Sequence, residues 1–351
     1  MAPIKVGVVG YGNSAKSFHL PFITAIPDFE LVAILQRAEA PSNPSSAQKG
    51  SHCTIDFPQV KHYRDADKFF ADPEIQFVVV VTHHDTHGKF AEQALRAGKH
   101  VIVDKPFTMT SEEADKVIKV AEEKGLILTC FQNRRWDADF KTLSHLIEKG
   151  ALGDIKEAEL HYDFESPSWM SSMGTKFSPG SGMSYGLDQA LVLFGRPKSV
   201  TGFFRVQRDG ESEVEDSFTI VLQYDGTQKD LLVTVKTAFQ QRSTCITEDQ
   251  IAAGLKPTDE GFGVEYESMQ GILTTYEEFD SKVQKWDPES KKYTGRYPTL
   301  PSRWMGLYEN VADAINGKAE LVVKPTQSRD VLRIIELARE SHEKGTTMPW
   351  S

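Results

Sequence analysis

The chain is 351 residues long, 39% of them hydrophobic and 26% charged, with a formal net charge of −10. That length exceeds what one ordinary core fills, so two domains are expected, and the composition is that of a globular protein without disordered bias. The acidic balance excludes nucleic acid and an anionic membrane as main partners, since both demand clustered cations. No apolar run approaches the length of a membrane span. The first strand opens at Ile4, which leaves no room for a signal peptide. Cys53, Cys130 and Cys245 are few, odd in number and widely spaced. They suit a reduced cytoplasmic protein and neither a disulfide framework nor a zinc site, so no metal is expected.

In chain order, strands are expected at Ile4–Gly10, Phe29–Leu35, Gln76–Thr82, His100–Asp104 and Leu126–Phe131. Helical patterns at Thr86–Ala97 and Ser111–Lys124 lie between them. Phe77–Val81 is apolar throughout, as a strand covered on both faces must be. The alternation implies an α/β, doubly wound parallel sheet over residues 1–130. Beyond it a helix is expected at Asp137–Lys149, then a strictly alternating strand at Glu157–Phe164. Further strands are expected at Val200–Val206, Ser217–Tyr224 and Asp230–Thr237, with turns at Asp209-Gly210 and Asp225-Gly226. Short turns between strands imply an antiparallel sheet in a second domain spanning 131–351. Segment 240–300, rich in Gly, Pro and charge, offers no clear element. The chain closes with amphipathic helices at Arg303–Asn316 and Pro325–Lys344, which can pack back on the first domain.

Gly10-Tyr11-Gly12-Asn13-Ser14-Ala15 follows the first strand directly. This G-x-G-x-x-A pattern marks a dinucleotide site. Gly10 permits a tight turn, Gly12 lets the backbone approach a pyrophosphate, Asn13 lies in the same turn, and Ala15 allows close helix packing. NAD-specific sites end the second strand with an acid, but this one ends Leu35-Gln36-Arg37, with no acid until Glu39. Arg37 can pair with a 2′-phosphate and Gln36 can donate to it, so NADP is expected, with NAD as the other choice.

The chain resembles the glucose–fructose oxidoreductase, inositol dehydrogenase and rhizopine-catabolism (Gfo/Idh/MocA) family over nearly its whole length. The resemblance rests on Gly10–Ala15, Thr82–His87 (family T-P-N-x-x-H) and Asp104-Lys105-Pro106 (usually E-K-P). It extends through Gln132-Asn133-Arg134-Arg135-Trp136-Asp137, and through Leu187-Asp188-Gln189-Ala190 leading to Leu193–Pro197. It implies a Rossmann domain and a C-terminal α/β domain with an open, mainly antiparallel sheet, through which such proteins often form homodimers. It also implies hydride transfer to or from a hydroxyl or carbonyl of a sugar-like or other small substrate. Lys105, at the carboxyl end of a strand, would touch both substrate and the nicotinamide ribose of the cofactor, and would stabilise alkoxide character on the reacting oxygen. The resemblance implies that its peptide bond to Pro106 is cis. Thr82 and His87 would line the cofactor. His83 and His84 stand where the family has Pro and Asn, and on an extended segment they should point apart.

The second family motif, roughly D-x-G-x-H-x-x-D, departs further. Aligned without gaps from Asp188, the histidine position is Tyr185 and the helper aspartate is Ser181; no histidine occurs between His161 and His342. Tyr185 can serve as proton donor or merely pack at the start of a helix. Asp188 can orient a catalytic partner or cap that helix. Two short deletions, around 180 and after Phe239, set the chain apart from the family pattern. The resemblance therefore leaves two functions open: an NAD(P)-dependent oxidoreductase, or a catalytically silent nucleotide-binding sensor of the same architecture.

Overall fold

The five expected strands of the first 130 residues assemble into a wholly parallel sheet, joined at its edge by a sixth, short strand that was not expected. Its strands are β1 (Ile4–Val9), β2 (Phe29–Leu35), β3 (Lys61–Tyr63), β4 (Phe77–Val80), β5 (His100–Val103) and β6 (Leu128–Cys130). Their order is β3-β2-β1-β4-β5-β6. The chain runs outward from β1 in one direction and then resumes at β4 on its other side. This is the doubly wound arrangement, with its topological switch point between β1 and β4. All four residues of β4 are buried, as a central strand with helices on both faces requires. The computed structural model describes residues 2–162, 183–206, 215, 217–238, 263–269, 284–287, 292–298 and 300–350.

Helices α1 (Leu20–Ala25), α2 (Cys53–Asp56), α3 (Ala66–Phe70), α4 (His87–Arg96) and α5 (Ser111–Lys124) link these strands. The chain enters α1 through a π-turn at Ala15–His19. Pro21 has no N–H to return to the preceding turn, and a widened turn just upstream accommodates that loss. α5 starts where the Thr110 side chain accepts from the Glu113 N–H, and it ends at Gly125, whose φ of 62° suits a residue without Cβ.

Two compact units divide the described residues. The first takes 2–132, 183–184 and 305–336; the second takes the rest. The helix Met305–Ile315 belongs to the first unit. Its fully buried Tyr308 meets Phe29 and Phe131 with ring centroids 5.9 and 6.0 Å apart. Glu336, in the helix Pro325–Lys344, accepts from the backbone N–H and the hydroxyl of Ser111, both in that same unit.

The second unit holds α6 (Ala138–Glu148), β7 (Glu157–His161), most of α7 (Met183–Phe194), β8 (Ser199–Arg205), β9 (Ser217–Gln223), β10 (Leu232–Ala238) and the terminal β14 (Met348–Pro349). The five strands form one sheet in the order β14-β8-β9-β10-β7. The expected antiparallel pairing holds from β14 to β10, but β7 joins β10 in parallel, so the sheet is mixed. α7 lies close on β10, because a Cβ at Gly186 would stand 2.6 Å from the Val235 side chain. Segment 240–300, which offered no element, contributes an antiparallel sheet of β11 (Gly263–Met269), β13 (Lys292–Pro298) and β12 (Gln284–Asp287). Phe164, Ser181 and the turn at Asp209-Gly210 lie outside the described residues.

Candidate functional site

The parallel sheet brings four of the expected segments to one edge: the carboxyl ends of β1, β2, β4 and β5. Gly10 follows β1 with φ 109°, and a Cβ there would collide with the Val81 carbonyl oxygen. Only glycine makes that turn against β4. Gly12 differs, since it is exposed and a Cβ there would meet no atom within 4 Å. The space above it is open for a ligand. Ala15 is wholly buried beneath it, and Asn13 is exposed. Tyr11 is drawn aside, its hydroxyl donating to Asp56, which also accepts from the Gly50 N–H at 3.0 Å. Lys16 Nζ donates to the Gly50 carbonyl at 3.0 Å, so the 50–56 loop braces the glycine turn.

At the end of β5, Asp104 is buried and organises the neighbouring turn. One carboxylate oxygen accepts from the Lys105 N–H at 2.7 Å and the other from the Ser14 hydroxyl at 2.6 Å, with His19 Nε2 at 3.7 Å. Burial works against the charge, but His19, Lys105 and Ser14 prevail and hold the carboxyl well below the usual range. The Lys105–Pro106 peptide is cis. The Pro106 carbonyl accepts from His87 Nδ1 at 2.7 Å. Lys105 is therefore clamped from both sides, by Asp104 at its own N–H and by His87 at the next carbonyl.

The His87 ring has no exposed surface and its Nε2 faces the Thr82 carbonyl at 3.2 Å, so it fixes the turn from within. Burial pushes its pKa down. Thr82, half-buried, shares a 2.7 Å hydrogen bond with the Thr86 hydroxyl. His83 and His84 do not point apart. His84 opens a short 3-10 turn rather than continuing an extended segment, and the two rings stack with centroids 5.7 Å apart. Burial, with His87 and Lys105 nearby, pushes His84 down to about 4, so it is neutral at physiological pH.

At the end of β2, Gln36 is half-buried and its side-chain oxygen accepts from the Cys53 N–H at 2.9 Å. Arg37 is exposed, and its guanidinium has no partner among the described residues. Arg64, which sequence reading overlooked, donates from Nε to the Arg37 carbonyl at 3.0 Å and from Nη1 to Glu39 at 2.7 Å. Glu39 is thus already engaged by a cation. Nothing in the spacing of 37, 39 and 64 announces this, because it depends on β3, a three-residue edge strand.

Tyr185 and Asp188 lie in the second unit, on α7. Asp188 is 2% exposed and receives Arg135 in a two-pronged pair, Nε at 2.8 Å and Nη2 at 2.6 Å. That geometry makes Asp188 a structural anchor for α7 rather than a helix cap. Tyr185 is half-buried, with the Arg134 guanidinium 5.0 Å from its ring centroid and the Tyr162 ring 5.8 Å away. Arg134 also pairs with Asp137 at 3.1 Å, and Tyr162 donates to Gln189 at 2.7 Å. Arg134, Arg135 and Asp137 therefore form one packed cluster with Tyr162, Tyr185, Asp188 and Gln189.

The model of the oxidoreductase family with NAD-binding Rossmann fold, GFO_IDH_MocA, matches residues 4–132, and the GFO/IDH/MocA C-terminal domain matches 140–250. The uncharacterized oxidoreductase C115.03 of Schizosaccharomyces pombe is 36% identical, covering 99% of this chain and all of its own. That alignment spans 381 positions, more than the 351 residues of this chain, so the relative carries residues this chain lacks. The scyllo-inositol 2-dehydrogenase (NADP(+)) IolW of Bacillus subtilis is 30% identical over 98% of this chain and 95% of its own. Among solved structures, the putative oxidoreductase yvaA from Bacillus subtilis superposes with a TM-score of 0.78 at 27% identity, covering 99% of this chain and all of its own.

Proposed function

Because the chain belongs to the Gfo/Idh/MocA oxidoreductase family, we propose that it moves a hydride between NADP(H) and a hydroxyl or carbonyl of a sugar-like or other small polyol substrate. The observation that carries this reading is the doubly clamped Lys105 at the same sheet edge as the open Gly12 turn. A lysine whose backbone is fixed at both ends can present its ammonium to the substrate oxygen as negative charge develops there. Asp104 and His87 are positioning residues in this scheme. For the proton we propose the Tyr185 hydroxyl. The similarity to a scyllo-inositol dehydrogenase favours a cyclic polyol or sugar over an open-chain ketone. A dinucleotide-binding protein without turnover is the competing reading, and the absence of any histidine between His161 and His342 favours it.

The preference for NADP rests on Arg37. A guanidinium with no partner among the described residues, two positions before a Glu39 already held by Arg64, leaves net positive charge where a 2′-phosphate would sit. Charge-assisted hydrogen bonds of this kind contribute about 1.5–3 kcal/mol. Arg37→Ala is therefore expected to weaken NADPH binding by about 10–100-fold and to leave NADH nearly unaffected. Fluorescence titration of both cofactors checks this. Equal or tighter NADH binding by the parent chain would reject the NADP assignment.

A further inference from the structure

Among the described residues, one cluster of metal-ligating side chains has no part in the chemistry proposed above. His52, Cys53 and His62 bring one ring nitrogen, the thiol sulfur and a second ring nitrogen within 4.8 Å of one another. His52 and Cys53 are almost wholly buried, and His62 is half-buried. The two rings meet edge to face with centroids 4.7 Å apart.

The hydrogen bonds around the cluster leave the needed lone pairs. His62 donates from Nε2 to the Gln36 carbonyl at 2.9 Å, which makes Nδ1 the lone-pair nitrogen. A ring whose far N–H is held by a backbone carbonyl is the usual outer support of a metal-bound histidine. His52 has two tautomers open to it. With Nδ1 accepting from the Thr54 N–H at 3.2 Å, it caps α2. With Nδ1 donating to the Thr54 hydroxyl at 2.9 Å, Nε2 is released from a long 3.3 Å contact to the Ala38 carbonyl and carries a lone pair. Cys53 supplies the soft ligand.

We propose that His52, Cys53 and His62 form a zinc site that fastens the start of α2 to β3 and to the end of β2. Imidazole nitrogen and thiolate sulfur are the ligand types tetrahedral Zn²⁺ takes, and a water would complete the fourth position. Bonds of 2.0–2.3 Å place tetrahedral ligand atoms roughly 3.3–3.6 Å apart, so side-chain rotation must close the cluster by about 1 Å. Both hydrogen bonds to Gln36, from Cys53 N–H and from His62, survive that closure. Zinc would thus stiffen the segment that carries Gln36. The site itself does not depend on the cofactor reading, and a failure to bind NADPH leaves it standing.

The test uses the full chain, stripped with a chelator and titrated with Co²⁺ and then with Zn²⁺. One equivalent of Co²⁺ is expected to give a thiolate-to-cobalt charge-transfer band, which Zn²⁺ bleaches, and one equivalent of Zn²⁺ is expected to raise the melting temperature. Cys53→Ala should abolish the band. His62→Gln, which retains a donor toward Gln36, should weaken binding at least ~10-fold. No band in the parent chain overturns the proposal and leaves the two rings as packing partners. A band that persists in Cys53→Ala overturns it equally, because the thiolate is then another cysteine.

Discussion

Lys105→Ala is expected to lower kcat/KM by about 10²–10⁴ while leaving cofactor affinity within a few-fold. The ammonium acts only where charge develops on the substrate oxygen, whereas the glycine turn is built from other residues. Its backbone is held by the Asp104 carboxylate and, through Pro106, by His87, so truncating the side chain leaves the turn in place. The variant should therefore melt as the parent does. Lys105→Arg should recover little, since a planar guanidinium does not occupy the position of a compact ammonium. Turnover assays on sugars and inositols, with cofactor titration in parallel, measure both quantities. A loss in turnover below about tenfold would remove Lys105 from the chemistry. A parent chain that binds NADPH and turns over no substrate would favour the sensor reading.

Asp188→Ala is expected to destabilise the second unit by about 3–5 kcal/mol. Asp188 and Arg135 are both buried and joined through two hydrogen bonds, so removing the carboxylate takes from a desolvated guanidinium the counter-charge that holds two of its nitrogens. The cost lies mainly in the lost charge compensation of that buried cation, which gives a second expectation. Replacing both partners by apolar residues, Arg135→Met with Asp188→Leu, should recover much of the loss. Urea melts of the single and double variants test this. Were Asp188 instead a group that touches substrate, Asp188→Asn would cut turnover without moving the urea midpoint.

Several elements were legible to the residue. β2, α5 and the helix Pro325–Lys344 have the bounds their sequence implies, because each joins a strong apolar period to an unambiguous end signal such as Gly125 or Pro325. β3 was not legible: Lys61-His62-Tyr63 is short, polar and held only at the sheet edge. The parallel pairing of β7 with β10 joins strands about seventy residues apart, and local pattern carries no such information. The glycine turn was readable because its demands are local, a positive φ at Gly10 and an open face at Gly12. The partners that fix Lys105 were not, since Ser14 reaches Asp104 across ninety positions. His87 illustrates the limit of a motif: the pattern picks out the residue, and only its burial shows that it holds a carbonyl. The same holds for Asp188, whose partner Arg135 lies fifty-three positions away.

Hydride transfer requires that the turn after β1 seats a dinucleotide. Gly12 allows a clean test. It lies outside the positive-φ region and a Cβ there meets nothing, so Gly12→Val should fold and melt as the parent chain does. The added side chain would fill the space through which a pyrophosphate approaches the backbone. An NADPH fluorescence titration of the two proteins is therefore the most direct measurement. Saturable binding is expected for the parent chain, with its loss in Gly12→Val at an unchanged melting temperature. A parent chain that binds neither NADPH nor NADH, or a Gly12→Val protein that binds as the parent does, would contradict it.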